Sequence, residues 1–499
     1  MCKETSRIRR SRSRATSSTN SVQVTLQMCV NPRANPRMGR RLWFFKGRRL
    51  EVEIVGLNSD AEGVARFEGF TLFVPDTVPG DRARVRVISV QKNYARALLD
   101  ELLEHSPARI APPCPLVPRC GGCQLQHMTY ARQLSHKQQL VSDALVRLGK
   151  FEAAREGAPL VKPIMGMEEP WRYRNKAQIP VARSRGRIVM GFFERRSHRI
   201  VDARACLIQH GANDEVMNAV REALSTLSLA PYDEHTRSGT VRHILARTSH
   251  ASSETLVAII TNGRRLPRRR ELLEMLRARL PGLVGVVQNI NETPGNRILG
   301  HHEVTLWGRS YLNESLAGLR FRVSPRSFFQ VNPVQTTALY EVACSLAGLS
   351  GTETVFDLYS GIGTIALFMS RRAGRVVGVE TVGAAVDDAV ANAALNGIEN
   401  TEFHRGAAED VVPGLLRQGV APQVVVLDPP RKGCAQELLA LIAAIKTRRV
   451  VYISCNPATL ARDLRFLSER GYKLEAVQPV DMFPHTKHVE CVTSLVWAP

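Results

Sequence analysis

From about residue 326 onward the chain alternates short apolar runs rich in β-branched residues with stretches of helical periodicity. TVFDLY, RVVGVE, VVVLD and RVVYIS read as strands, and AVDDAVANAALNG and ATLARDLRFLSERG between them read as helices. Strands that are apolar on both faces need cover on both sides, and the intervening helices provide it. The pattern predicts an α/β unit over 326–499 with a parallel, doubly wound, Rossmann-like sheet. In such folds ligands lie outside the carboxyl ends of the strands. Residues that directly follow strand-like runs are therefore the first candidates for chemistry.

Asp357-Leu358-Tyr359-Ser360-Gly361-Ile362-Gly363 closes the first run. Its glycines allow a tight turn and a close approach of a ligand to the backbone. Glu380 closes the next run, at about the 20-residue distance from which an acid grips a ribose. Both features suit an adenosine-containing cofactor. Gly361 to Ala366 also matches G-x-G-x-x-A, so a nicotinamide-dependent enzyme is a rival at this stage. Asp428 follows VVVL and is held by Pro429-Pro430, which places a carboxylate on a rigid turn. Cys455 follows RVVYIS and precedes Asn456-Pro457. A thiol at a strand end, rather than within a core, is a candidate nucleophile. Glu490 lies in the strand-like HVECVTSLVW, where a carboxylate among apolar residues is either functional or paired, and it is the candidate base.

The stretch from Ser324 to the end resembles the bacterial RNA uracil-5 methyltransferase family. The motifs that carry the resemblance are SPRSFFQVN, DLYSGIGT, VVGVE, LDPPRKG, SCNPATLARD and DMFPHTKHVE. It implies S-adenosyl-L-methionine-dependent methylation of carbon 5 of a uridine, with Cys455 as nucleophile and Glu490 as base. It further implies that Gln330, Tyr359, Glu380 and Asp428 contact the cofactor, that Asp428 meets the uracil edge and that Phe328 stacks on a base. A thiol is needed because carbon 5 of uracil is too weak a nucleophile unaided. Thiolate addition to carbon 6 makes an enolate with negative charge on carbon 5, and a base then removes the carbon-5 proton. Two departures stand out. Where the family often has a polar residue reaching the adenine, this chain has Gly406-Ala407-Ala408-Glu409, and Thr364 takes a place where some relatives carry Asn.

Cys114-x5-Cys120-x2-Cys123 is followed by a remote Cys206. Four thiolates suit tetrahedral zinc or a cubane iron–sulfur cluster, and the spacing leaves both open. The resemblance extends over CPLVPRCGGCQLQHM, RYRNKAQ and Cys206, and implies a [4Fe-4S] cluster on Cys114, Cys120, Cys123 and Cys206 with a structural role. An iron–sulfur, dinucleotide-dependent oxidoreductase is the alternative of a different class, and a non-catalytic RNA-binding protein is a third.

Upstream, residues 43–104 read as a small all-β, oligonucleotide-binding-like barrel, and the segment resembles the TRAM module. Residues 105–325 read as a mixed α+β central RNA-binding domain. It has helices at 129–150 and about 266–280, the latter carrying Arg268 to Arg270 on a solvated face. Residues 1–42 form a basic Arg/Ser-rich tail expected to be disordered. Three readings of the tail stand side by side: an RNA arm, a transit peptide, or dispensable sequence before a start at Met28 or Met38. The formal net charge is +22, but the first 50 residues hold 13 Lys/Arg against one acid, Glu4, and so account for over half of it. The folded body is only mildly basic. No apolar stretch reaches the ~20 residues a membrane helix needs, and no secretory pattern is present, so a cytoplasmic, reducing setting is expected. The expected partner is structured RNA, 23S rRNA rather than tRNA, because transfer-RNA relatives generally lack both barrel and cluster.

Overall fold

A computed structural model of the chain describes residues 44–155 and 157–498. The expected basic tail, 1–42, lies outside the described residues. Strands Arg49–Leu57 (β1), Gly63–Phe67 (β2), Phe70–Val74 (β3), Arg82–Val90 (β4) and Tyr94–Glu104 (β5) close into a barrel in the order β1-β2-β3-β5-β4. Alternation drives the closure. In β4, Ala83, Val85 and Val87 fill the interior while Arg82, Arg84 and Arg86 face outward. Those arginines are paired: Arg82 with Glu104, Arg84 with Glu51 and Glu101, and Arg86 with Asp100.

After the barrel come helix α1 (Tyr130–Arg147) and a short strand pair, β6 (Ala154–Arg155) and β7 (Ala158–Pro159). A seven-stranded sheet follows, made of β8 (Lys176–Ser184), β9 (Arg187–Phe193), β10 (Ile200–Asp202), β11 (Val241–Thr248), β12 (Thr255–Thr261), β13 (Leu283–Ile290) and β14 (His302–Gly308). Its order is β10-β9-β8-β11-β12-β13-β14. Helices α2 (Gly211–Thr226) and α3 (Arg269–Arg279) cover one face through Val216, Val220, Leu272 and Leu276. The other face gives Leu245, Leu256, Ala258, Ile260 and Val287 to a core shared with the hairpin β15 (Leu312–Leu316)/β16 (Leu319–Val323) and with the C-terminal sheet. The two large sheets therefore bury one continuous apolar interior.

The C-terminal unit runs α4 (Pro333–Ala347), β17 (Thr354–Leu358), α5 (Thr364–Ser370), β18 (Arg375–Glu380), α6 (Gly383–Leu395), β19 (Thr401–Arg405), α7 (Ala408–Arg417), β20 (Val424–Leu427), α8 (Gln436–Ile445), β21 (Arg449–Ser454), α9 (Pro457–Ser468), β22 (Tyr472–Val480) and β23 (Glu490–Trp497). The sheet order is β19-β18-β17-β20-β21-β23-β22. The first five strands are parallel, as expected, and β23 is antiparallel to both neighbours. Successive residues go to opposite faces. Val355, Val376 and Val424 pack toward α4, α5 and α6, while Phe356, Val377 and Val425 pack toward α7, α8 and α9.

Helix α1 lies within the 105–325 stretch, yet its Val141 and Leu145 join the core under α9, beside Leu460 and Leu464. From the same helix, Lys137 Nζ reaches Asp481 Oδ1 at 2.5 Å, with both side chains fully buried. Lys137 Nζ also donates to the Phe483 carbonyl (3.0 Å), and the Tyr130 hydroxyl donates to Asp481 Oδ2 (2.9 Å). Helix α1 thus clamps the loop 481–489 that leads into β23. No helix among the described residues is long and apolar enough to cross a membrane.

Removing one partner of a buried ion pair strands the other charge, at a cost of about 3–5 kcal/mol. Lys137→Met is expected to lower stability by about that amount, read from the urea midpoint and slope. A loss below about 1 kcal/mol would show that the pair does not hold the loop.

Candidate active site

Strand register builds the site. Leu358 of β17 pairs with Val379 of β18 and with Leu427 of β20. One step on, Tyr359 stands between Glu380 and Asp428 at the carboxyl edge. The sheet order reverses between β17 and β20, and such a switch point opens the crevice where α/β sheets bind ligands. On the far side, Ser454 of β21 pairs with Cys491 of the antiparallel β23. The next residues outward, Cys455 and Glu490, therefore face the same edge. A cavity of about 780 Å³ sits there, and all six expected residues, Gln330, Tyr359, Glu380, Asp428, Cys455 and Glu490, line it. Phe328 lines its lip, 69% exposed.

The first turn is held by backbone geometry. Tyr359 takes φ 81°, a left-handed conformation rare for a residue with a side chain. The amides of Tyr359 and Ser360 both donate to the Val379 carbonyl, at 3.0 and 3.1 Å. Gly361 N donates to Glu380 Oε2 (3.1 Å), while Glu380 Oε1 accepts from Val382 N (2.8 Å). A Cβ on Gly363 would press on Ala389 and Phe403 at 3.1 Å, so this turn requires glycine there. On the far side, Asn456 caps α9 by accepting from Ala458 N (3.1 Å), with Pro457 at the first helical turn. Asn456 Nδ2 also donates to the Arg431 carbonyl (3.0 Å), which ties the Asp428-Pro429-Pro430-Arg431 turn to the cysteine turn.

The sequence profile described as tRNA (uracil-5-)-methyltransferase matches residues 170–497, and that of the TRAM domain matches 44–99. The chain belongs to the tRNA (uracil-5-)-methyltransferase family. It is 47% identical over 446 residues to an uncharacterized RNA methyltransferase of Halalkalibacterium halodurans, covering 89% of this chain and 96% of that one. It is 43% identical over 450 residues to one from Listeria monocytogenes, covering 90% and 98%. Among solved structures it resembles the Pyrococcus abyssi tRNA (uracil-54, C5)-methyltransferase in complex with S-adenosyl-L-homocysteine. That likeness has a TM-score of 0.71 at 25% identity and covers 90% of this chain and 100% of that one. The protein is an RNA methyltransferase.

Three features of this uracil-5-methyltransferase family member escaped the motif reading. Arg431, His488 and Arg174 also line the cavity. Arg431 and His488 sit inside quoted motifs, one residue after Pro430 and two before Glu490, and adjacency was the available signal. Arg174 lies far upstream and gave none. The stretch Gly406 to Glu409 does border the cavity. Thr364 is not among the lining residues, and its hydroxyl is 3.1 Å from that of Tyr340.

Burial dominates the electrostatics. It pushes the Cys455 thiol up to about 11, and the nearby Glu490 and Asp428 add to the rise while Arg431 opposes it. Burial lifts Asp428 to about 7. Burial and Asp428 together hold Glu490 well above the usual carboxylate range, again opposed by Arg431. His488, 3.4 Å from Arg431 Nη2, is pushed down to about 4 by burial and by that cation, and is neutral at pH 7. At rest the site holds a neutral thiol, with Arg431 as the cation that favours the ionised forms.

Cys114, Cys120, Cys123 and Cys206 line a second cavity of about 390 Å³. Among the described residues no group of three His, Cys, Asp or Glu side chains could hold a metal ion. By donor chemistry four thiolates suit either one tetrahedral zinc or the corners of a cubane cluster. The cavity brings the four expected cysteines to one place. The cysteine segment also braces the loop 481–489. The amides of Gln124 and Leu125 both donate to the His485 carbonyl at 3.0 Å, and Trp171 stacks on the His485 ring at 3.7 Å.

Removing a cation beside a thiol disfavours the thiolate, and each pKa unit is a factor of about ten in thiolate fraction below the midpoint. Arg431→Gln is expected to move the alkylation midpoint of Cys455 above about 11 and to slow its reaction with iodoacetamide at pH 9 several-fold, mapped by mass spectrometry. An unchanged or lower midpoint would mean that Arg431 does not act on the thiol.

Proposed function

We propose that this protein methylates carbon 5 of a uridine in structured RNA, with Cys455 as covalent nucleophile and Glu490 as base. The observation that carries the reading is the register pairing of Ser454 with Cys491, which sets Cys455 and Glu490 side by side on one cavity with Asp428. The cosubstrate is S-adenosyl-L-methionine, which supplies an electrophilic methyl group. Its fit rests on the backbone of Gly361, where an added Cβ would meet nothing within 4 Å, and on Glu380, whose Oε2 accepts one bond from Gly361 N and keeps a lone pair for a ribose hydroxyl. A cavity of this size accommodates an adenosine-containing ligand beside a flipped base.

Cys455 acts as the thiolate, made accessible by Arg431, and adds to carbon 6 of the uracil. The bond forms between sulfur and carbon 6, and the electron pair of the ring double bond moves to carbon 5. Once carbon 5 carries the methyl group, Glu490, acting in the ionised form that Arg431 favours, takes the carbon-5 proton, the double bond re-forms and the carbon–sulfur bond breaks. Asp428 faces the uracil edge, where a carboxyl titrating near neutrality can donate or accept. Phe328 offers a stacking surface at the lip. Cys114, Cys120, Cys123 and Cys206 would hold a [4Fe-4S] cluster, which would stiffen the segment that carries the His485 contacts.

The preferred substrate is 23S rRNA, supported by the barrel and the cysteine cavity taken together. The second reading, tRNA, draws on the likeness to the Pyrococcus tRNA enzyme over 90% of this chain, a span that takes in barrel residues. The barrel alone therefore does not separate the two.

The test is mass-spectrometric mapping of 5-methyluridine in total RNA from a strain lacking the protein, complemented with wild type or Cys455→Ala. The expected result is one or more large-subunit rRNA sites restored by wild type and not by the variant. Loss confined to a tRNA site would move the substrate to tRNA, and restoration by Cys455→Ala would overturn the mechanism.

A further inference from the structure

Arg174 stands in the wall of both cavities, catalytic and cysteine-lined. Its backbone is fixed: its amide donates to the Ile208 carbonyl (2.9 Å), and its carbonyl accepts from His210 N (2.8 Å). Its side chain has no such anchor. Nε is buried without a hydrogen-bond partner, and no ion pair from the guanidinium occurs among the described residues. Lys176, two residues on, also lines the cysteine cavity, and its ammonium likewise lacks a hydrogen bond or ion pair among the described residues. Arg247, cross-strand from Lys176 on β11, is a further buried cation nearby, but its guanidinium donates to the Ser327 carbonyl outside this cavity.

No Asp or Glu lines this cavity. Asp214, which faces Cys206, is engaged by Arg172 at 2.6 Å and by the Cys206 amide at 3.0 Å. Unpaired cations this close together repel one another, and partial burial raises the cost. An anionic occupant would reverse the sign of the arrangement. Four thiolates outweigh the charge of a cubane core and leave the complex anionic.

We propose that Lys176 and Arg174 are the counter-ions of a thiolate-held iron–sulfur cluster in this cavity. The inference rests on the cluster reading above and adds the groups that hold its charge. Lys176 faces only the cysteine side, while Arg174 is shared with the catalytic cavity. The two positions are therefore separable by mutation.

The test uses the full chain, purified anaerobically as wild type, Lys176→Met, Lys176→Arg and Arg174→Gln. Iron and acid-labile sulfide are assayed, cluster loss to EDTA is followed by visible absorbance, and the cluster's reduction potential is titrated by electron paramagnetic resonance. Reduction adds negative charge, so removing a neighbouring cation makes it harder. Lys176→Met is expected to lose iron several-fold faster and to shift the potential negative. Arg174→Gln should move the potential the same way, and Lys176→Arg should restore both properties. Lys176→Gln carries the test if the methionine variant does not fold. Wild-type iron retention and potential in Lys176→Met and Arg174→Gln would overturn the proposal while leaving the cluster in place. Wild-type protein without iron or sulfide would overturn the cluster reading itself.

Discussion

The pairing of β21 with β23 sets the distance between the two groups proposed to perform the chemistry. A parallel strand delivers the residue after it to the carboxyl edge, and an antiparallel strand beside it starts from that same edge. Ser454 opposite Cys491 therefore makes Cys455 and Glu490 neighbours without any side-chain contact being required to bring them together. A one-residue slip would turn β23 over, burying Cys491's neighbours the wrong way and pointing Glu490 out of the cavity. The register depends in turn on the loop 481–489. That loop is held from outside the sheet, by Lys137 on α1 and by the cysteine segment through His485. Residues far upstream thus hold the geometry set by residues 454–491.

Desolvation is the second constraint. The cavity wall concentrates acids in an apolar setting. Asp357, beneath the loop, is fully buried and is pushed up to about 8 by burial and by nearby Asp428. Asp428 and Glu490 are raised as well. Such a site favours neutral groups at rest, and positive charge nearby has large leverage. Arg431 and Arg174 hold that leverage in the catalytic wall. The outward arginines of β4, by contrast, are neutralised by acids of the same barrel. RNA affinity accordingly cannot be read from the net charge of +22, and placed cations matter more than their number.

Much of this was legible in the sequence because it is local. Strand runs, the glycine turn, the double proline and the cysteine before Asn456-Pro457 each declare a backbone geometry within a few residues. All six residues singled out for the catalytic site line one cavity, and the four spaced cysteines line another. What stayed hidden is non-local. An apolar stripe announces that α1 must pack, but not that Val141 and Leu145 pack beneath α9 rather than within their own stretch. Arg174 lines a site built some 150 residues later. The order of β22 and β23, with the last strand inserted beside β21, is a long-range pairing that no spacing encodes.

On the proposed mechanism Cys455 and Glu490 act on the same uracil in successive steps. It is tested most directly by incubating Glu490→Gln with S-adenosyl-L-methionine and unmodified RNA, then mapping covalent RNA–protein adducts by mass spectrometry. A methylated uridine adduct on Cys455 is expected, because the carbon-5 proton is no longer removed and the sulfur cannot leave. No adduct is expected when Cys455→Ala is added. An adduct on a different residue, or full turnover by Glu490→Gln without an adduct, would contradict it.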